Sequence, residues 1–257
     1  MYDAIILAGG ENKGPLRGCS DQPYEALIEI AGKPMVSFVA VALAAVPEIE
    51  TIWVVGPAAQ LAACPLPPKA KLLEGGASII ETIRLGLAKL EPGRKAIVAT
   101  GDIPLLTPEA VQEFLRLCRQ QAAEVYYPII SRELNDAHYP GSKRTYVRFT
   151  DGVYTGGNLF LVDPVVVPRC VAVAEKIIAN RKNPLQLCRI LGWGFVVRFI
   201  LGRLSLEKVK DRVAQLLGVS GAVIYSQHPQ VGIDVDKPSD LELVRDVFAR
   251  TVDAARQ

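Results

Sequence analysis

A pair of glycines near the start of the chain, followed by two basic residues, could bind phosphate. Gly9 and Gly10 come directly after an apolar run, and Lys13 and Arg17 follow them. Because glycine lacks Cβ, main-chain N–H groups can approach phosphate oxygens there, while the two cations neutralise charge. A tight turn after a strand would explain the glycines equally well. Neither GxGxxG nor GxxxxGK[ST] occurs at this point, which disfavours dinucleotide-binding and P-loop ATPase sites.

Three aspartates further along could supply the oxygen ligands of a magnesium ion. Asp102 follows the apolar run Ala96 to Thr100, and Asp234 and Asp236 alternate in "GIDVD", which predicts that both lie on one face of a strand end. Ligands bind open α/β sheets at the carboxyl ends of parallel strands, so Asp102 is placed to meet the glycine pair there. The alternative is that these carboxylates only cap turns or a helix.

The elements that must position these residues alternate regularly in the first half of the chain. Apolar runs rich in β-branched residues are separated by helical patterns, which predicts βαβ units of a mainly parallel sheet flanked by helices. The predicted strands are Ala4 to Ala8, Thr51 to Val55, Lys71 to Leu73 and Ala96 to Thr100. The predicted helices lie near 35–46, 77–90 and 108–121. This pattern is typical of the α/β fold class.

The second half of the chain is less regular. Shorter strands are predicted in "EVYYPII", "RTYVRF" and "NLFLV", with a polar loop containing "NDAHYPGSKR". The pattern near 165–217 is helical and predicts a helical insertion. Strands "GAVIYS" and "VGIDVD" and a helix from Pro238 to about Arg250 are predicted to follow. We therefore expect one domain spanning residues 1–257 with an insertion.

Composition excludes several classes of partner. The chain has 29 Lys plus Arg against 27 Asp plus Glu, a net charge of +2, so no nucleic-acid partner is expected. The five cysteines are scattered without a CxxC pair, which disfavours disulfides and zinc and favours the reducing cytoplasm. The longest apolar run, Met35 to Val46, is too short to span a bilayer, so no membrane partner is expected.

Five motifs in sequence order carry a resemblance to a known family. "AIILAGG", "IAGKPM", "TGDIPLLTP", "TGGNLFLV" and "GIDVDKPSDLELV" resemble the MobA-like NTP transferases, which include the molybdenum-cofactor guanylyl- and cytidylyltransferases. Those enzymes move a nucleoside monophosphate from an NTP to a phosphorylated small-molecule acceptor and release pyrophosphate. The resemblance implies a Rossmann-like (GT-A-like) fold, Mg²⁺ as cofactor, and an NTP and a phosphorylated acceptor as partners. It leaves homo-oligomer formation open.

The resemblance also implies a set of site residues. Those around the NTP and its base are Leu7, Ala8, Gly9, Gly10, Lys13, Gly76 and Ser78. The implied catalytic residues are Arg17 and Asp102, and the implied metal ligands are Asp102 with Asp234 or Asp236. The loop on the acceptor side is implied to be Gly156, Gly157 and Asn158.

One residue departs from the family pattern. Relatives show P-K-A-L where this chain has "PYEAL", so Glu25 stands where a lysine would contact the triphosphate. A carboxylate there would repel phosphate by roughly a few kcal/mol. Either Lys13 or Lys33 replaces that lysine, or the reaction is altered or absent. A nucleotide-binding regulatory or accessory protein that has lost turnover therefore remains an alternative to the nucleotidyltransferase. A sugar-nucleotide glycosyltransferase is a second alternative, because that class shares the sheet topology.

Overall fold

The computed structural model describes residues 1–180, 186, 189–190 and 192–254. Within these ranges nine strands form one sheet, and two more form a small hairpin. The sheet strands are β1 (Tyr2–Leu7), β4 (Ile49–Gly56), β5 (Ala70–Glu74), β6 (Ala96–Thr100), β7 (Val125–Ser131), β8 (Val147–Phe149), β9 (Gly152–Gly156), β10 (Leu159–Val162) and β11 (Gly221–Tyr225). The hairpin strands are β2 (Glu29–Ile30) and β3 (Lys33–Pro34).

The sheet is mixed, but most of its strands point the same way. Its order is β5-β4-β1-β6-β10-β7-β9-β8, with β11 beside β7. The first four strands are parallel to one another, and β11 is parallel to β7. Only β9 and β10 run against the other seven strands of this sheet. The predicted α/β fold, a mainly parallel sheet flanked by helices, is confirmed.

Helices cover both faces of this sheet. Those of the described residues are α1 (Met35–Ala44), α2 (Ala58–Leu61), α3 (Ile79–Leu87), α4 (Pro108–Cys118), α5 (Arg132–His138), α6 (Val167–Ala179), α7 (Trp193–Ile200), α8 (Leu206–Leu217) and α9 (Pro238–Ala254). Local sequence explains several of their ends. Ser78 and Thr107 cap α3 and α4 by accepting main-chain N–H groups, and Gly218 ends α8 in the left-handed conformation at φ 66°.

The core lies on both sides of the central strands. Alternating side chains of β1 point to opposite faces, so Ile6 packs in the cluster with α1 and α4, and Ile5 in the cluster with α3 and α6. Phe114 of α4 is one of the largest fully buried side chains. Gly86 lets α3 approach the sheet closely, since a Cβ there would lie 2.9 Å from Cγ2 of Ile5. The central strands are therefore buried between two apolar clusters, one on each face of the sheet.

Two predictions made from the second half of the chain are wrong. Residues 132–138 of the predicted polar loop form α5, because Ser131 caps it by accepting the N–H of Leu134. The predicted strand "VGIDVD" is a 3-10 turn at Pro229–Gly232 followed by an extended segment outside the sheet. Its alternation arises because Ile233 and Val235 pack fully buried in a separate small core. Two main-chain hydrogen bonds tie it to the strand ends: Val235 N–H donates to Asp102 O at 3.0 Å, and Asn158 N–H donates to Val231 O at 2.8 Å.

The helical insertion predicted near 165–217 is confirmed where the structure describes it, as α6, α7 and α8. The parts at 181–185, 187–188 and 191 lie outside the described residues. Cys19, Cys64, Cys118 and Cys170 are free thiols, and Cys188 lies outside the described residues. Across the described ranges, no helix has the length and apolar character needed to cross a membrane. That residues 1–257 form a single domain stays a prediction.

Candidate active site

The carboxyl ends of β5, β4, β1 and β6 meet at one edge of the sheet. Main-chain hydrogen bonds continue between the strands into the turns that follow them. Ala8 N–H donates to Val55 O at 2.8 Å, Gly101 N–H to Leu7 O at 2.9 Å, and Gly75 N–H to Gly56 O at 2.9 Å. The turns after the four strands are therefore held side by side as one rim.

A cavity of about 610 Å³ opens at this rim. Of the residues implied by the resemblance, those that line it are Leu7, Gly9, Gly10, Gly76, Ser78 and Asp102. Ala8 lies beneath it, fully buried. The glycine pair and the acid after β6 thus face the same space, as the parallel arrangement of β1 and β6 requires.

Glycine is required at the rim for two different reasons, close packing at one position and an accessible main chain at two others. Packing demands it at Gly56, where a Cβ would lie 2.8 Å from the carbonyl carbon of Ala8. Packing does not demand it at Gly9 or Gly10, where a Cβ would find its nearest neighbours at 3.8 Å and 3.4 Å. Neither of these two has a positive φ, and both are exposed. Their missing side chains therefore leave the main chain open to a ligand, rather than meeting a need of the fold.

Alanine at Gly56 is expected to destabilise the fold and distort the rim, because the added Cβ must push β4 away from β1. We expect a loss of about 1–3 kcal/mol in the free energy of unfolding, measured by denaturant titration. Gly18→Ala is the matched control, since a Cβ there has no neighbour within 4 Å. Equal stability of the two variants would contradict this packing role.

The loop after the glycine pair is held by its own polar groups. The buried amide of Asn12 donates to the carbonyl oxygens of Ser20 and Gln22, both at 3.0 Å. The exposed Arg17 side chain donates to Asp21 O at 2.8 Å, and the exposed Lys13 pairs with Glu11. Neither cation is among the residues that line the cavity. Their predicted contacts with a triphosphate stay predictions.

Asp102 is a desolvated acid with a free ligand position. Its Oδ1 atom is buried and has no hydrogen-bond partner among the described residues. Burial raises the pKa of Asp102, and the charge of Asp236 raises it further, while a hydrogen bond to Thr100 and the nearby Arg144 act in the opposite direction. A buried carboxylate oxygen without a partner is suited to a cation or to a proton donor of a ligand.

Asp234 and Asp236, the two candidates for the second acidic position, lie in different environments. Arg144 forms an ion pair with the Asp234 carboxylate and also donates to the main-chain oxygen of Asp234 at 3.2 Å. The Arg144 and Asp234 side chains are only 10% and 22% exposed, so this pair is shielded from water. The negative charge of Asp236 instead raises the pKa of Asp102 and of Glu25. Asp234 is therefore paired with Arg144, and Asp236, whose side chain is 60% exposed and lies 3.8 Å from Lys237 Nζ, is the acid that can act together with Asp102.

These two carboxylates fit a magnesium ion that completes its coordination with ligand and water oxygens. Mg²⁺ is commonly held by one or two carboxylates together with phosphate oxygens. Asp102 supplies the unpartnered oxygen, and Asp236 supplies a second carboxylate close enough to raise the pKa of Asp102. Among the described residues there is no group of three or more His, Cys, Asp or Glu side chains that could hold a metal by itself. Any metal bound here would depend on the ligand.

Glu25 is one of the residues that line the cavity. Its Oε2 atom would be 3.4 Å from a Cβ at Gly10. Burial raises the pKa of Glu25, and the charges of Asp102 and Asp236 raise it further. The carboxylates that line the cavity are Glu11, Glu25, Glu74 and Asp102, and none of the lining residues, all of them described, is a lysine or arginine. The cavity is therefore strongly acidic.

The three residues implied on the acceptor side pack closely but do not line the cavity. A Cβ at Gly156 would lie 2.2 Å from the Tyr127 hydroxyl, and one at Gly157 would lie 2.8 Å from Cγ of Pro128. Asn158 O accepts from Thr100 N–H at 3.0 Å, which places Asn158 beside the strand end that precedes Asp102. Its Nδ2 atom is buried without a partner among the described residues. Asn158 is thus the one of the three with a free polar group.

Sequence reasoning missed several residues of the cavity. The most informative are Gly56, which is the last residue of β4, and Gly75, which comes directly after β5. The glycines in "WVVGP" and "LLEGG" were the available indication, since Gly56 comes directly after one predicted strand and Gly75 comes two residues after the end of another. Glu74 was also missed, and its Oε2 accepts the N–H of Ala58 at the start of α2.

Comparisons with known proteins show the family and the fold of the chain. A family model described as a MobA-like NTP transferase domain matches residues 4–185. A solved structure of a hypothetical transferase from Thermus thermophilus is 36% identical, with a TM-score of 0.81, over 93% of this chain and 99% of that one. A search of curated proteins found no match.

Two more distant structures share the fold. The 4-diphosphocytidyl-2C-methyl-D-erythritol synthase of Anaerococcus prevotii has a TM-score of 0.57 at 12% identity, over 97% of this chain and 96% of that one. A CMP:2-keto-3-deoxy-manno-octonic acid synthetase complexed with CTP has a TM-score of 0.59 at 18% identity, over 98% of this chain and 100% of that one. At these identities the likeness concerns the fold alone.

Proposed function

The chain belongs to the MobA-like NTP transferase family, and we propose that it moves a nucleoside monophosphate from an NTP to a phosphorylated small-molecule acceptor. One observation carries the proposal. The exposed main chain of Gly9 and Gly10 and the unpartnered carboxylate oxygen of Asp102 belong to the same cavity rim. A phosphate chain held against the glycines would bring its metal-binding oxygens toward Asp102.

The reaction needs no nucleophile from the protein. An oxygen of the acceptor phosphate attacks the α-phosphorus of the NTP, the bond between the α- and β-phosphates breaks, and pyrophosphate leaves. Gly9 and Gly10 would donate main-chain N–H groups to the phosphate oxygens. Asp102 and Asp236 would hold Mg²⁺, which when bound withdraws charge from the reacting phosphate. Arg144 would keep Asp236 in place, because it anchors Asp234 two residues earlier.

The acidic lining supports a strict requirement for the metal. With four carboxylates and no cation among the lining residues, an NTP that enters without Mg²⁺ meets only repulsion from the side chains. We expect EDTA to weaken NTP binding by at least about tenfold, measured by calorimetry with each of the four NTPs. Equal affinity with and without Mg²⁺ would remove the metal from the proposed binding mode.

Turnover is tested by pyrophosphate release. Each NTP is incubated with Mg²⁺ and a panel of phosphorylated small molecules, and the expected result is release that needs one particular NTP and one particular acceptor. CTP is included because one of the fold neighbours was solved with it. A UDP-sugar arm tests the glycosyltransferase alternative, in which the sugar and not the nucleotide is transferred.

A binding protein without turnover is the second candidate, and Glu25 favours it. This carboxylate stands in the cavity next to Asp102 and Asp236, where the family pattern has a cation. Metal-dependent NTP binding without pyrophosphate release from any acceptor would support this second function.

A further inference from the structure

The helical insertion presents an apolar face that no described residue covers. Trp193, Val197 and Ile200 of α7 are 60%, 48% and 74% exposed. Their spacing of four and three residues places them on one side of the helix. Val196 is buried at the edge of this side, since it lies three residues after Trp193 and four before Ile200. The exposed side chains form the outer face of α7, and Leu201, which follows directly and is 59% exposed, extends that face.

The sequence around this face is entirely cationic. Residues 176–206 contain six lysines and arginines and no aspartate or glutamate. The rest of the chain has 23 basic against 27 acidic residues, so positive charge is concentrated in the insertion. Arg189, Arg198 and Arg203 are exposed, and none of the ion pairs found among the described residues involves them.

The exposed apolar face of α7 and the basic residues around it together favour one kind of binding partner. A symmetric dimer through this face would bring two copies of the same cationic segment together, and like charges at an interface are unfavourable. An anionic surface with an apolar interior matches both properties at once. Helices with Trp and other large apolar side chains on one face and basic residues beside it bind in the headgroup region of anionic membranes.

We propose that the outer face of α7, formed by Trp193, Val197, Ile200 and Leu201 and flanked by Arg198 and Arg203, docks the protein on an anionic lipid bilayer. The side chains would enter the headgroup region without spanning the membrane. This departs from the expectation, drawn from the sequence, that the chain has no membrane partner. It does not depend on the proposed reaction.

The test is sedimentation of the full chain with vesicles. Vesicles of phosphatidylcholine with about 30% phosphatidylglycerol are expected to bind it, and vesicles of phosphatidylcholine alone are not. Raising NaCl to about 0.5 M is expected to release most of the protein, because salt screens the arginines. Trp193 emission should shift to the blue on binding, and Trp193→Phe should remove the shift, since the other tryptophan, Trp53, lies in β4.

Two sets of variants locate the contact. Val197→Glu with Ile200→Glu should abolish sedimentation, whereas the control Val165→Glu, at a side chain 71% exposed outside α7, should bind normally. Arg198→Ala with Arg203→Ala should weaken binding roughly 30-fold, at about fivefold for each charge. Circular dichroism and thermal melts check that each variant is folded, and the two arginines are exposed enough to replace safely.

Several results would overturn the proposal. Failure of the unmodified chain to bind anionic vesicles would do so, as would normal binding by the folded Val197→Glu, Ile200→Glu double variant. Light scattering that shows a dimer in the unmodified chain and a monomer in that variant, without vesicle binding, would assign the face to a second copy. Capture of an acidic protein partner by α7 in place of vesicles would assign it to that partner.

Discussion

Replacing Asp102 with alanine is expected to abolish metal-dependent nucleotide transfer while the sheet stays folded. The change removes the unpartnered carboxylate oxygen at the rim. A metal-held phosphate contributes several kcal/mol to transition-state stabilisation, so we expect kcat/KM to fall by at least about a hundredfold. Pyrophosphate release with the NTP and acceptor identified for the unmodified chain is the measurement. Unchanged release would exclude Asp102 from the mechanism.

The same residue offers a control in which activity and stability change in opposite directions. Asp102→Asn keeps the shape of the side chain and removes its charge. Because burial raises the pKa of Asp102 above its unfolded value, ionisation costs folding free energy at neutral pH. That cost disappears as the pH falls below the unfolded pKa, since both states are then protonated. Without divalent ions, Asp102→Asn should therefore raise Tm at pH 7, lose that advantage near pH 3, and remain inactive.

Asp234 and Asp236 are expected to respond differently to the same replacement by asparagine. Asp236→Asn is expected to impair transfer in the same way as Asp102→Asn, because the charge of Asp236 raises the pKa of both Asp102 and Glu25. Asp234→Asn is expected to affect stability more than activity. It should lower Tm, since it leaves the shielded Arg144 without its charged partner. Equal loss of activity at unchanged Tm in both variants would mean that both carboxylates hold the metal.

Glu25→Lys is expected to tighten NTP binding, because it replaces a carboxylate by a cation beside Gly10. At the distances across such a cavity, each charge changes the binding free energy of a phosphate by roughly 1–3 kcal/mol, which corresponds to about 5- to 150-fold in Kd. Calorimetric titration with Mg²⁺ and the preferred NTP measures the change. If the second candidate function holds, the same variant is also the one in which pyrophosphate release should appear.

Glu25→Gln is the matched control for the lysine variant. It removes the repulsion without adding attraction, so its Kd should lie between those of the unmodified chain and Glu25→Lys. Identical affinities in all three proteins would place this carboxylate away from the phosphates. Weaker binding in both variants would show that Glu25 itself holds the ligand, through the metal or through a polar group of the nucleotide.

The sequence predicted those parts of the site that depend on short stretches of chain. A strand followed by glycine or by an acid is a local pattern, and the parallel order of β1 and β6 brings the two patterns to the same rim. The strand predicted at "VGIDVD" was wrong because alternation records which side chains are buried, and Ile233 and Val235 are buried in a core outside the sheet. Whether an extended segment joins a sheet depends on distant strands, which no local pattern contains.

The electrostatic arrangement was beyond prediction for the same reason. Arg144 and Asp234 are 90 residues apart, and nothing in either local sequence indicates that they form an ion pair. That pairing separates Asp234 from Asp236, which the sequence left as equal alternatives. The position of Glu25 was anticipated from the family pattern, whereas the absence of any cation among the lining residues became visible only in the folded chain.

The hydrogen bond from Val235 N–H to Asp102 O joins the second acidic position to the strand end that carries the first. Asp236 comes one residue after Val235, so the separation of its carboxylate from that of Asp102 depends on a segment that lies outside the sheet. Local opening of that segment would move Asp236 away while the central strands and the glycine turns keep their places.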